Sequence, residues 1–233
     1  ILYLVKVKLD HNLKSMPLVG LFGGAYDPIH NGHLMIADSL TNKLKLDQLF
    51  FIPTGISATD KNLTSADHRL NMIKLALTNS KINVSTYEID NSLNAKKSFT
   101  FDTVKHFFKK NNAINFFIMG SDNFLKINTW KDWDKLLKYA HIILVDRQVS
   151  NLSSIEDYEI KKFYEQHLEE NFNNLKLKRS GYIYKHQIDY IDIASSEIRE
   201  RLHQDKEVSD VIPEKIKRYI ATNNLYKSFG QVI

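Results

Sequence analysis

The sequence predicts an α/β fold, a Rossmann-like open parallel sheet with helices on both faces. Short apolar runs rich in Ile, Leu and Phe alternate with longer stretches of three- to four-residue periodicity. That alternation implies βαβ units. Several apolar runs stop at Gly or Pro, where strands enter loops. At two strand-to-helix junctions Gly, His, Ser and Arg cluster, at the edge where open α/β sheets bind ligands.

Residues 1–15 are expected to be an extension of uncertain role, dispensable for the fold. Their apolar run falls short of the ~7–15 residues of a secretion signal. Residues 16–233 are expected to form one domain, since no repeat, low-complexity tract or linker interrupts them. Leu18 to Phe22 reads as a buried strand entering Gly23-Gly24. Leu34, Ala37, Leu40 and Leu44 then predict a helix of about 14 residues from Asn31. Leu49 to Pro53 is the next strand, and Thr54 to Ser65 a loop. Ala66 to Asn79 is a helix with Leu70, Ile73 and Leu77 inward, and Ile82 to Ile89 is strand-like.

Thr100 is placed to N-cap a helix from Phe101 to Lys110, with Val104, Phe107 and Phe108 inward. Ile114 to Met119 is a strand ending at Gly120, followed by helical turns carrying Leu125, Trp130, Trp133, Leu136 and Leu137. His141 to Val145 is a strand. Ile155 to Asn174 is charged and helical and reads as an insertion. Tyr182 to Tyr184 and Ile188 to Ile193 read as two short strands before a helix from Ser196. A last helix runs to Asn223 with Pro213 at its first position.

The chain has 233 residues, 43% hydrophobic and 25% charged, close to globular averages. The absence of cysteine excludes a disulfide scaffold, thiol catalysis and Cys-based zinc sites. Lys and Arg exceed Asp and Glu by 5, but no long basic run occurs; the densest clusters are Lys109-Lys110 and Lys176 to Arg179. An anionic small substrate fits this balance, and a nucleic-acid partner is not expected. No apolar stretch approaches the ~18 residues of a membrane span. No membrane partner is expected, and the chain is expected to be cytoplasmic.

The strongest feature is Gly23-Gly-Ala-Tyr-Asp-Pro-Ile-His-Asn-Gly-His33, between the first strand and first helix. Glycine lets a ligand approach the backbone, and Pro28 stiffens the loop. His30 sits at the helix mouth, with His33 one turn further on the same face. Amides and dipole there favour phosphate, to which imidazoles can donate. The loop is neither a Walker A nor a Gly-x-Gly-x-x-Gly motif. Two histidines with only Asp27 nearby make a poor metal set. The second feature, Ile193-Ala-Ser-Ser-Glu-Ile-Arg199, also opens a helix. Ser195 and Ser196 can cap it, and Arg199 offers a planar fork to phosphate.

With these motifs the sequence resembles the His-x-Gly-His nucleotidyltransferases, and more closely bacterial-type nicotinate-nucleotide adenylyltransferases. The likeness spans about Leu18 to Tyr226. It includes Ser98-Phe-Thr-Phe-Asp-Thr103, Gly120-Ser-Asp122, Thr129-Trp-Lys-Asp-Trp133 and Pro213 to Ile220 followed by Leu225-Tyr226. The chain departs from the family pattern at Ala194, where a Ser is usual. It departs again at Ala58-Thr-Asp-Lys61, where Pro-Pro-His-Lys is usual, and at Arg147-Gln-Val, where Arg-Pro-Gly is usual.

The resemblance implies transfer of AMP from ATP to nicotinate mononucleotide, with Mg²⁺ accompanying ATP. His30, His33, Ser195, Ser196 and Arg199 would hold the ATP phosphates, with Gly23, Gly24 and Asp27 beside them. Asp122, after Gly120, would face adenosine. Trp130 would stack on the pyridine, and amides near Thr100 and Lys131 would take the nicotinate carboxylate. Lys61 would serve the mononucleotide. Plainer roles stay open: Trp130 and Trp133 as core, Asp122 as a cap, Asp102 as a helix-dipole partner, Lys61 as a solvated lysine. An amide-preferring enzyme, another phosphate acceptor and a non-catalytic nucleotide-binding protein are the alternative readings.

Overall fold

The computed structural model describes residues 13–57, 63–146, 155–188 and 193–227. Its main sheet has six parallel strands: β1 (Leu18–Gly24), β2 (Gln48–Pro53), β4 (Ile82–Val84), β6 (Ile114–Gly120), β7 (His141–Asp146) and β8 (Ile183–Gln187). Two-residue strands β3 (Ile56–Ser57) and β5 (Lys97–Ser98) pair separately. The main-sheet order is β4-β2-β1-β6-β7-β8. The chain therefore builds outward one way from β1 and then the other way from β6. The switch point lies between the carboxyl ends of those two strands, at Gly23-Gly24 and Gly120.

Alternation along each strand sends neighbouring residues to opposite faces. Leu18 and Phe22 of β1, with Ile114, Phe116 and Ile118 of β6, join one core layer. That layer includes α1 (Asn31–Lys43), α2 (Ala66–Ala76), α8 (Ser195–His203) and α9 (Glu214–Thr222). Val19, Leu21, Phe117 and Met119 face the other layer, with α4 (Thr100–Lys110) and α6 (Tyr158–His167). Helices thus cover both faces, as the sequence predicts. No described helix is long and apolar enough to cross a membrane.

The structure corrects several element boundaries. The strand read as Ile82 to Ile89 ends at Val84, and Tyr87–Ser92 is a helix, α3. Pairing with β2 covers only Ile82 to Val84, and Glu88 and Asp90 favour a helix start. The first of the two short strands is β8, which runs on to Gln187; residues 189–192 of the second lie outside the described residues, as do 1–12 of the expected extension. Pro213 precedes α9 as its N-cap. Phe99, not Thr100, caps α4, and contributes no side-chain bond. Between Phe107 and α4's exposed end, Phe108 is only half-buried and lies under the Arg179 guanidinium.

The segment read as an insertion is the β7–β8 crossover. Parallel neighbours cannot be joined by a tight turn, so a helical connection is obligatory. Here α6 and α7 (Phe172–Leu175) provide it, burying Ile160, Phe163 and Leu175. The helical turns after β6 are α5 (Ser121–Phe124) and 3-10 turns at Ile127–Thr129 and Trp133–Lys138.

Candidate active site

β1 ends in a loop held by its own side chains. Tyr26 adopts φ 53° and folds its ring inward, donating its hydroxyl to the Phe22 carbonyl at 2.5 Å. A Cβ on Gly24 would stand 3.0 Å from that ring. A larger residue at 24 would have to push that ring aside by a few tenths of an ångström. Asp27 follows, 2% exposed. Its carboxylate accepts from the Thr64 amide at 3.0 Å and the Tyr226 hydroxyl at 2.5 Å.

His30 is the N-cap of α1 and makes no side-chain cap bond. Among the described residues the amides of Gly32 and His33 have no acceptor, so this mouth is open to an anion. The His30 and His33 rings lie 3.7 Å apart, tilted by 31°. Both Nδ1 atoms are buried without a partner among the described residues. Burial lowers the His30 pKa to about 4. Burial, and then His30, holds His33 well below the usual range. Both imidazoles are neutral at pH 7.

A pH dependence follows. Unfolded histidines titrate near ~6.5. Below that pH the unfolded chain takes up protons that His30 and His33 refuse, so acid favours unfolding. Stability is expected to hold above ~6.5 and to fall as pH drops towards about 4. His141, buried between Phe116 and Tyr182, adds to the slope, its pKa also lowered to about 4. Thermal midpoints from pH 7 to 4.5 check this. A His33→Ala chain should lose less of its midpoint over the range, and an unchanged slope would refute the buried-neutral assignment.

α8 clamps the same loop from the other side. The Arg199 guanidinium donates to the Asp27 carbonyl at 2.7 Å, and the Ser195 hydroxyl to the Pro28 carbonyl at 3.0 Å. This corrects the capping expectation. The helix begins at Ser195 after an extended Ala194, so neither serine is the N-cap. Ser195 fixes the loop instead, while Ser196 is exposed at the mouth.

Across the switch point, Gly120 is the N-cap of α5, and Asp122 is exposed in its first turn. A Cβ on Gly120 would collide with an Asp122 carboxylate oxygen, so glycine admits that carboxylate. Asp122 is not the cap. Thr100 opens α4, whose first turn meets Lys131. The Lys131 ammonium lies 2.9 Å from Asp102 and 4.7 Å from the centre of the Phe99 ring. Half-buried Trp130 meets Phe117 edge-on at 6.3 Å, and Trp133 packs on Phe163 at 5.0 Å, as a core residue does. Lys61, the altered 58–61 loop and Arg147 lie outside the described residues.

Sequence reasoning missed Arg69. It is 1% exposed and donates to the carbonyls of Thr64, Ala25 and Thr54 at 2.8, 2.8 and 2.6 Å. One guanidinium thus ties together the loops after β1, after β2 and before α2. Its signal was positional: Arg69 shares the inward stripe of α2 with Leu70, Ile73 and Ala76.

Helix mouths that converge on a switch point, one of them fronted by a histidine pair, are the arrangement of a phosphate-binding α/β protein. Similarity to known proteins points the same way. A cytidylyltransferase-like family signature matches residues 21–201. A probable nicotinate-nucleotide adenylyltransferase from Buchnera aphidicola subsp. Schizaphis graminum is 32% identical, over 92% of this chain and 98% of its own. One of the same name from Clostridium tetani is 34% identical, over 89% and 98%. The chain belongs to the cytidylyltransferase-like family and, within it, to the nicotinate-nucleotide adenylyltransferases. In fold it also matches a Plasmodium falciparum nicotinic acid mononucleotide adenylyltransferase complexed with APC. That match has a TM-score of 0.65 and 23% identity, covering 90% of this chain and 97% of the other.

Proposed function

We infer that this chain transfers AMP from ATP to nicotinate mononucleotide, giving nicotinate adenine dinucleotide and pyrophosphate, a step of NAD biosynthesis. The observation that carries the reading is near full-length similarity to relatives of that name, at 32% and 34% identity. In this chain the paired histidines stand at the switch point.

The chemistry suits the site. The nucleophile is a phosphate oxygen, already ionised at pH 7, so no general base is required. Catalysis consists of aligning two polyanions and offsetting charge on the transferred phosphoryl and leaving pyrophosphate. In our reading His30, His33, Ser196, Arg199 and the open amides of α1 hold the triphosphate. Gly23, Gly24 and Gly120 let it approach, and Asp122 meets adenosine. Asp27 and Ser195 act by fixing the loop. Trp130 faces the pyridine, and the amides of Thr100 and Lys131, free of acceptors among the described residues, suit its carboxylate. Lys61 is kept as a proposed mononucleotide contact.

Asp27 uses both carboxylate oxygens within the protein, and no group of three or more His, Cys, Asp or Glu that could hold a metal occurs among the described residues. We therefore propose that a divalent cation, Mg²⁺, arrives with ATP and is held mainly by phosphate oxygens, supplying charge neutralisation. We also propose that residues 16–233 act as one domain and that the enzyme works in the cytoplasm.

The test is product formation by chromatography, with ATP, Mg²⁺ and either nicotinate mononucleotide or its amide. Dinucleotide from the acid in strong preference is the expected result. Equal use of the amide would keep the mechanism and overturn the specificity. No dinucleotide from either would overturn the reading.

A further inference from the structure

We propose that Glu88 is a specificity-determining positioning residue, holding the segment from Ser98 to Thr103 so that the amide opening α4 meets the acid group of the pyridine mononucleotide. The inference rests on the functional reading above and adds a residue that the motifs did not contain.

Glu88 belongs to α3, which the sequence did not predict. Its carboxylate is 8% exposed and accepts from the Thr103 hydroxyl at 2.7 Å. Ser98 lies near enough to help lower the Glu88 pKa, and it accepts from the Gly55 amide at 3.2 Å. The Glu88 carboxylate therefore ties the Thr103 end of the segment that contains Thr100, and the Gly55 backbone ties the Ser98 end. Gly55 fits closely there, since a Cβ on it would collide with the Glu88 carbonyl oxygen.

Between the tied ends, α4 starts without a side-chain cap, and the amides of Thr100 and Phe101 have no acceptor among the described residues. Asp102, in the same turn, is paired with the Lys131 ammonium at 2.9 Å. Burial raises the Glu88 pKa, while Thr103, Ser98 and nearby Arg69 oppose the rise. An amide in its place keeps one acceptor oxygen but presents N–H donors where the carboxyl group has its second oxygen, which disturbs the geometry that holds Thr103.

The test is a kinetic comparison of the full chain with Glu88→Gln, Thr103→Val and Thr103→Ser. ATP and both pyridine mononucleotides are varied. Glu88→Gln and Thr103→Val are expected to raise KM for the acid about tenfold, in line with losing a buried hydrogen bond. The acid-to-amide ratio of kcat/KM should narrow by a similar factor, with KM for ATP within about twofold. Thr103→Ser keeps the hydroxyl and should behave as wild type. Thr103→Val conserves shape, so it remains informative if Glu88→Gln fails to fold. Equal losses for ATP and the acid, or an unchanged ratio in Thr103→Val, would overturn the inference alone. A wild type without acid preference would overturn the functional reading and this inference with it.

Discussion

His33→Ala is expected to lower kcat/KM by ~10²–10³-fold while leaving the fold in place. Its ring lies 3.7 Å from His30, one turn inside a helix mouth that has open amides. Pre-placed donors in a partly desolvated corner act on charge that develops in the transition state, and they need not reorganise when it does. The loss should therefore appear in kcat more than in KM for nicotinate mononucleotide. Stability should change little by comparison. Alanine removes ring contacts with Phe22 and Tyr26, but it also removes a buried Nδ1 that has no partner among the described residues. Circular dichroism and steady-state kinetics on one preparation test both halves. Near-wild-type turnover would take His33 out of the site.

Arg69→Met is expected to destabilise the chain by about 3–5 kcal/mol, because three carbonyls lose their donor at about 1–3 kcal/mol each. The lost groups are easily named: the carbonyls of Ala25, Thr54 and Thr64 each lose a donor inside the protein. For a chain of this size that corresponds to a thermal midpoint lower by about 10 °C. Arg69→Lys should recover only part of it. An ammonium is a compact charge on a flexible stem, and it cannot reproduce a planar fork aimed at three carbonyls. Activity should fall with stability, because Ala25 adjoins the histidine loop and Thr54 and Thr64 flank its neighbour. A midpoint within 2–3 °C of wild type, below ~1 kcal/mol, would show that the network does not hold the loops.

Part of this site is legible in the sequence alone. Gly23 to His33 and Ser195 to Arg199 each lie at a strand-to-helix junction, and local chemistry at such junctions is written in contiguous residues. Strand and helix periods place β1, α1, β2, β6 and β7 close to where they lie. The Ile155 to Asn174 stretch is legible as helix but not as a crossover. That role is set by which strands pair, and β7 and β8 meet through residues some forty positions apart. α3 is hidden because Ile82, Val84 and Ile89 satisfy a strand-like pattern until pairing with β2 stops.

The sequence by itself determined the fold class, the two Gly- and Ser-marked strand-to-helix junctions and the family, because each depends on local period and on motifs of adjacent residues. Tertiary structure alone decided how the loops are held. Arg69 reaches three carbonyls, Tyr226 closes on Asp27 from the far end of the chain, and Ser195 turns from capping to gripping Pro28. Glu88 joins them by accepting from the Thr103 hydroxyl, in an element it does not belong to. The physical reason is common to all four. A buried polar group must find a partner wherever folding places one, and that choice depends on distances in space which no local pattern records.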